Sequence, residues 1–356
     1  MTSTSYQPLI EATRGRIVES IHYGAIAVVD ARGNLLASLG DPETVTFLRS
    51  SAKPFQALPF VEREGDLHFQ FTSQELAVIC ASHSGTDAHV QVVRAIQAKI
   101  GVEEQDLLCG VHKPYDEATA TRLERDGLPI TPNRHNCSGK HTGMLAHARL
   151  RGLPIEDYIN PGHPVQQSIL QAFAEMCGLE ASQVDVGIDG CSAPNFAVPL
   201  RNAAYAYARL CDPSGLPPAR AQACRRISAA MTGNPFMVAG PARFDTNLME
   251  IASGRLLAKG GAEGYQGIGL LPGALGPGSP ALGIAFKVSD GDLGGRACSL
   301  ASLEILRQLG AITKQELEAL ASFGPRALTN WRQITVGQLR PAFTLQKASS
   351  PGREPG

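Results

Sequence analysis

The chain has 356 residues, room for about two domains or for one large domain carrying an insertion. Hydrophobic residues make up 43% and charged residues 18%, enough apolar material for a sizeable core and too little charge for a disordered polymer. Lys and Arg total 32 against 33 Asp and Glu, so no basic excess recommends a nucleic-acid or anionic-membrane partner. No apolar stretch reaches the 18 residues a transmembrane helix needs. The opening segment MTSTSYQPLIEATRGR lacks the charged-then-apolar pattern of a secretory signal. The 8 cysteines are scattered without the spacing of a disulfide framework and read as free thiols, core residues or metal ligands. These features together predict a soluble, cytoplasmic globular protein.

The first fifty residues are punctuated by glycine turns. GAIAVVD (24–30), the turn ARGN and LLASLG (35–40) predict a β-hairpin, and TVTFL (44–48) a short strand. From Ser50 onward the period lengthens to that of helices. Val90, Val93 and Ile96 share one face of 87–100, and Val165, Ile169, Phe173 and Met176 one face of 164–177. The run VDVGI is strand-like, and Ala-rich helices are predicted over 195–210 and 217–231. Strand-like runs return at GIGLL (267–271) and ALGIAFKVSD (281–290), followed by a closing helix, 297–309, and a frayed tail, ASSPGREPG. Strands must pair, so the simplest closure joins both chain ends in one antiparallel sheet flanked by helices, with a mostly helical lobe between them. The fold class is therefore α/β of the α+β type, a single catalytic unit. Its sheet lobe spans 1–49 and about 250–340, its helical lobe about 50–249, and a flexible tail 341–356. A cleft between sheet edge and helical lobe is the expected place for chemistry.

Arg49-Ser50-Ser51-Ala52-Lys53-Pro54 lies where strand gives way to helix. A spacing of three brings Ser50 and Lys53 onto one helical face, and Pro54 suits a first turn. A serine hydroxyl needs a base to become a nucleophile, and a desolvated lysine amine can be that base. Such a spacing also arises by chance, so it needs a second hydroxyl and a second cation in the right order. Serine β-lactamases and penicillin-binding proteins supply them as a later serine and a lysine on a late strand. Here Ala81-Ser82-His83-Ser84-Gly85 follows the helical QELAVICA, and Lys259 stands in AKGGAEG. Ser82 and Ser84 could instead cap a helix end, and Lys259 could be a solvated loop residue. Lys287, followed by Arg296, is a rival for the late cation and ranks second.

Asn133-Arg134-His135-Asn136-Cys137-Ser138-Gly139-Lys140 opens a helix with Ser138 as its expected N-cap, and Asp189-Gly190-Cys191-Ser192 follows VDVGI. Cys137 and Cys191 are the two cysteines in Gly/Ser-rich turns. With a nitrogen and a water they would make an open tetrahedral zinc site, but 54 residues part them and no Cys-x-x-Cys supports it, so buried or reactive thiols are the commoner outcome. His141 and His147 read as cap or surface residues, and Cys80, Cys177, Cys211 and Cys224 as core. The glycine-rich 273–283 lacks the lysine and the strand–turn–helix setting of a phosphate loop.

Six collinear segments, RSSAKPFQALP, ASHSG, HNCSGKHTGML, DGCSAPNFA, AKGGAEG and KVSDGDLGGR, together resemble the class 3 (rhizobial-type) L-asparaginases over roughly residues 15–300. That resemblance implies a serine β-lactamase- and glutaminase-like fold and hydrolysis of L-asparagine to L-aspartate and ammonia. It implies Ser50 as nucleophile with Lys53 as its base, and Ser82 with Lys259 as a second Ser–Lys pair. It further implies that Cys137, Lys140 and Cys191 hold a Zn2+ ion with water in the fourth position. Asp189 and His83 are expected to touch substrate or to support the metal ligands, and a homodimer is expected. The alternatives are a glutaminase or penicillin-recognising hydrolase on the same scaffold, or a non-catalytic zinc- or amino-acid-binding module.

Overall fold

In the computed structural model, which describes residues 5–348, the strands of the two chain ends meet in one antiparallel sheet. The early strands are β1 (Gln7–Arg14), β2 (Ile17–Asp30) and β3 (Leu35–Leu39). A short β4 (Val45–Phe47) leads into the helical region, where β5 (Asp185–Ile188) and β6 (Pro194–Pro199) join it in a second sheet of order β4-β6-β5. The late strands are β7 (Leu256–Gly261), β8 (Tyr265–Leu270), β9 (Leu282–Val288), β10 (Arg326–Thr329), β11 (Thr335–Pro341) and β12 (Gln346–Lys347). The main sheet runs β10-β11-β1-β2-β9-β8-β7, with β3 also on β2 and β12 on β3.

The length of β2 explains this order. Its first half pairs with β1, and its second half lies between β3 and β9, with Ile26 opposite both Leu39 and Phe286. Residues Ala25 to Val29 are buried on both faces, so the segment is a continuous apolar run instead of an alternating one. The helix Leu200–Cys211 packs across β2, β8 and β9. Two glycines permit that approach. A Cβ on Gly283 would fall 1.7 Å from the Ala204 carbonyl oxygen, and one on Gly267 2.3 Å from the Tyr207 ring. Substituting either forces helix and sheet apart.

Between β4 and β7 the chain is mainly helical. The helix Lys53–Glu62 is the axle of this lobe, buried from Lys53 through Val61 and packed against the helices Ser138–Leu150, Pro164–Cys177 and Pro218–Gly233. Its Phe55 ring meets Phe173 and Tyr207 edge-on. Fully burying such a ring contributes about 1.5–3 kcal/mol, which holds the residues at the helix start in register. One hydrophobic cluster runs through both regions, from Ile26 and Phe286 in the sheet to Phe55 and Ile96 among the helices. Among the described residues, no helix is long and apolar enough to cross a membrane.

The structure departs from the sequence expectation in several places. The segment 195–210 is not one helix: Pro194–Pro199 is β6, whose Phe196 and Val198 are buried, and the helix begins only at Leu200. The AKGG segment is strand, not loop, paired with β8 so that Lys259 lies opposite Gly267. Strands β1, β10 and β11 carry mixed polar sequences that lack clean alternation, and the late pair follows the helix Cys298–Leu309 expected to close the chain. Within the expected tail, Gln346 and Lys347 pair with β3; residues 349–356 lie outside the described residues.

Candidate active site

The turn that follows β4 brings the first candidate group to the surface of a cleft. Arg49 takes a left-handed backbone (φ 52°), and residues Arg49–Ala52 form a tight 3-10 turn before the Lys53 helix. That conformation is disfavoured for a side chain of this size. It is held by the Asn195 Oδ1 atom, which accepts the Arg49 N–H at 3.0 Å, and by the Arg49 Nε bond to Asp189 at 2.7 Å. Behind the turn, Ser51 donates to the Lys259 carbonyl at 2.5 Å and Tyr207 donates to the Ser51 carbonyl at 2.8 Å. The turn is thus fastened to β7 and to the sheet-packing helix.

Ser50 is half-buried and its hydroxyl has no hydrogen-bond partner among the described residues. It lies where two cleft volumes meet, one of about 890 Å³ toward Cys137 and Cys191 and one of about 530 Å³ toward Ser82 and Arg243. Tyr115, Asn136 and Ala262 line both. Left-handed non-glycine residues gather on these walls: besides Arg49, they include Ala242, Glu263 and Asp292.

Beneath Ser50 two lysines converge on one hydroxyl. Lys53 Nζ is 2.8 Å from Ser82 Oγ, and Lys259 Nζ is 2.9 Å from the same atom. Lys53 also donates to the Ala81 carbonyl at 2.6 Å, and Lys259 to the Gly260 carbonyl at 2.7 Å. Both lysines are 1% exposed. Burial, and then the neighbouring charge of Lys53, bring the Lys259 amine down to about 7. Burial also lowers Lys53, opposed by the Cys137 sulfur. The expected Ser50–Lys53 contact is therefore not made directly, since the Lys53 amine is engaged with Ser82. Neither Ser82 nor Ser84 caps a helix; Ser84 donates to the Ala239 carbonyl. The rival Lys287 is turned away from Ser82, with its amine on the Glu263 and Val288 carbonyls. Geometry decides for Lys259 over Lys287 as the cation at Ser82. No pairing within this cluster involves Arg296.

The third lysine has a different environment. Lys140 Nζ lies 2.8 Å from Cys191 Sγ, and the two thiols of Cys137 and Cys191 face each other. All three residues are at most 4% exposed. A hydrogen bond from Cys191 holds the Cys137 thiol well below its usual range, with further help from Lys53 and Lys140; the donor Cys191 is shifted up by the same contact. Burial works against the Lys140 charge, yet Cys191 and Cys137 more than offset it and raise the amine. Among the described residues no three His, Cys, Asp or Glu side chains converge as a metal site. The donor set here is instead two sulfurs and one amine, with the Asp189 carboxylate 3.7 Å from Cys191 Sγ. Two soft sulfurs and a nitrogen on the wall of an open cleft fit a zinc ion that keeps one position free.

Cys137, not Ser138, is the N-cap residue of its helix, while Ser138 donates to the Asn133 carbonyl at 2.9 Å. His83 touches neither part of the cleft. It is fully buried, with Nε2 2.9 Å from Ser138 Oγ and its ring stacked on His89, so the substrate-contact expectation fails and a supporting place behind the Cys137 turn remains. His135, His141 and His147 are all buried, against the reading of His141 and His147 as cap or surface residues. Sequence reasoning passed over Tyr115, Asn136, Arg243 and Ala262, which come from four separate segments. Only the fold could gather them.

A sheet drawn from both chain ends and a mainly helical lobe thus meet at the cleft that holds these groups. The family model described as L-asparaginase II matches residues 10–341, and the chain belongs to that family. That family is one of amidohydrolases. No curated protein matches the chain. Among solved structures it is similar to the covalent complex of the Bacillus subtilis glutaminase YbgJ with 5-oxo-L-norleucine, at 11% identity and TM-score 0.37, covering 83% of this chain and 88% of that one. A Bacillus glutaminase in 4.3 M NaCl gives 13% and 0.38, covering 83% and 91%. Mglu in its L-glutamate-binding form gives 15% and 0.40, covering 83% and 63%.

Proposed function

We propose that the protein hydrolyses L-asparagine to L-aspartate and ammonia with Ser50 as nucleophile. The observation that carries this reading is a free serine hydroxyl at the cleft floor above a buried Lys53–Ser82–Lys259 chain. A serine in that position needs a base, and two lysine amines crowded onto one hydroxyl cannot both keep a proton at neutral pH cheaply. A neutral amine takes the Ser50 proton as the Oγ–carbon bond to the side-chain amide forms. Backbone N–H groups of Ser50 and Ala262, at the meeting point of the two cleft volumes, are the proposed donors to the oxyanion. The carbon–nitrogen bond then breaks, and ammonia leaves with a proton passed through Ser82 from Lys259. Water adds to the acyl-Ser50 ester and gives a proton to the amine; the Oγ–carbon bond then breaks, the amine returns that proton to Ser50 Oγ, and L-aspartate is released.

The amino-acid end of the substrate needs counter-charges. Arg49 is committed to Asp189, whereas Arg243, stacked 5.5 Å over Tyr115, has no carboxylate partner among the described residues. Arg243 is the proposed partner of the α-carboxylate. Cys137, Lys140 and Cys191 would hold the zinc ion. Bound there, the metal would supply a fixed positive charge that polarises substrate oxygen and takes the place of the Lys140 proton. Asp189 orients Arg49 and faces Cys191, so it shapes the wall between nucleophile and sulfurs.

The test is ammonia release from L-asparagine and L-glutamine by the parent, Ser50→Ala and Ser82→Ala proteins. Turnover of asparagine by the parent and a loss of at least a thousandfold in Ser50→Ala are expected. Full activity in Ser50→Ala would move the nucleophile elsewhere. Preference for glutamine would keep the amidohydrolase and overturn the substrate.

A further inference from the structure

His141 is a buried residue that the proposed chemistry leaves unused. It sits one residue beyond Lys140 on the helix Ser138–Leu150 and is fully buried. Its Nδ1 lies 2.7 Å from the Tyr158 hydroxyl, which itself accepts the Leu108 backbone N–H at 2.9 Å. A phenol has one proton to give, and with the Leu108 N–H occupying one lone pair that proton is directed at Nδ1. Nδ1 is then the acceptor of a neutral imidazole, and the ring proton resides on Nε2. Nε2 has no hydrogen-bond partner although it is buried, and the Cys191 side chain lies beside the ring. The reverse assignment, Nδ1–H donating to Tyr158, strands the phenol proton inside the protein, at a cost of about 1–3 kcal/mol.

We propose that Tyr158 and His141 form a relay that positions the Cys191 sulfur, with Tyr158 fixing the tautomer and the Nε2–H of His141 directed at Sγ. Two donors then grip one sulfur from the same helix: the Lys140 amine at 2.8 Å and the imidazole N–H. A gripped sulfur has one orientation left, toward Cys137 and the cleft. The inference rests on the zinc reading only for its consequence, since outer hydrogen bonds that orient metal ligands are worth 10–100-fold in affinity. The donor–acceptor order is independent of any metal.

Two measurements test it. Nitrogen-15 NMR of histidine-labelled protein, with His141 assigned by its disappearance in His141→Gln, should show an Nε2–H tautomer in the metal-free parent and a mixture of tautomers in Tyr158→Phe. An Nδ1–H tautomer in the parent overturns the proposal. Zinc affinity by chelator competition should fall 10–100-fold in His141→Leu and by less in His141→Gln, whose amide N–H reaches the Nε2 position. A parent that binds zinc while all three variants match it within twofold overturns the positioning role. A parent that binds no zinc overturns the metal reading, and the tautomer measurement then decides the relay alone.

Discussion

Two clusters in this protein bury lysine amines to the same degree and push them in opposite directions. Lys53 and Lys259 share the Ser82 hydroxyl, a neutral partner, and the desolvation of Lys259 prevails, bringing its amine to about 7. Lys140 meets the Cys191 and Cys137 sulfurs, and their attraction for its charge prevails over the same desolvation, so that its amine rises. What decides the protonation of a buried amine is therefore the charge it faces and not the depth at which it lies. One cluster makes bases; the other makes a fixed ionic cradle.

That contrast can be broken most visibly at Lys259. Replacing it with Met should cut kcat by about 100- to 10,000-fold while leaving the melting temperature equal or higher, because an apolar stem replaces a poorly solvated amine. Steady-state kinetics beside a melting curve reads both. The same substitution at Lys140 should do the reverse to stability, costing about 3–5 kcal/mol in metal-free protein, because the charge on Cys137 loses its buried counter-ion. Denaturant unfolding of the two variants side by side would sink the comparison if they shifted alike.

The pH response sharpens it further. With the folded Lys259 amine near 7 and a free lysine at 10.5, the unfolded chain holds the extra proton between those values. Stability from this group is therefore lowest below pH 7 and rises between pH 7 and about 10, and Lys259→Met should lose that slope. Activity should share the lower limit, with kcat/KM falling about tenfold per unit as pH drops below 7. A flat acid limb would refute the amine as base. A smaller effect is expected at Arg243, which is exposed: Arg243→Gln should raise KM for L-asparagine about fivefold, worth about 1 kcal/mol, and leave hydrolysis of L-asparaginamide, which has no α-carboxylate, unchanged. Smallest of all, Lys287→Met should keep kcat/KM within twofold, since its amine serves only the Glu263 and Val288 carbonyls.

Much of the site was legible because its chemistry is local. Ser50 and Lys53 share one turn, and the order Ser82 then Lys259 marked a second pair before any coordinates. The closure of both chain ends into one sheet also followed from where the apolar runs fall. What stayed hidden was decided at long range. Nothing near Lys53 in sequence says that its amine bridges to Ser82 and leaves Ser50 free. His141 stands beside glycines and hydroxyls that suggest a surface, and only packing shows it buried. β6 was misread because PNFAVP runs straight into the Ala-rich helix after it, and its strand form depends on pairing both with β5 just before it and with the distant β4 at the end of the first sheet lobe.

The seating of β7 at the end of the main sheet has a consequence for biosynthesis. A ribosome that has completed the helical lobe has already made Ser50, Lys53, Ser82 and the sulfur cradle, but not the strand bearing Lys259. Nor has it made β9, which must first lie against β2 and carry β8 to its place before β7 has an edge to join. Contacts spanning more than two hundred residues close late and slowly. Lys259 and the Ser51 contact to its carbonyl are thus assembled late. The nascent chain carries Ser50, the proposed nucleophile, through much of its translation without the second amine of the cluster beneath it.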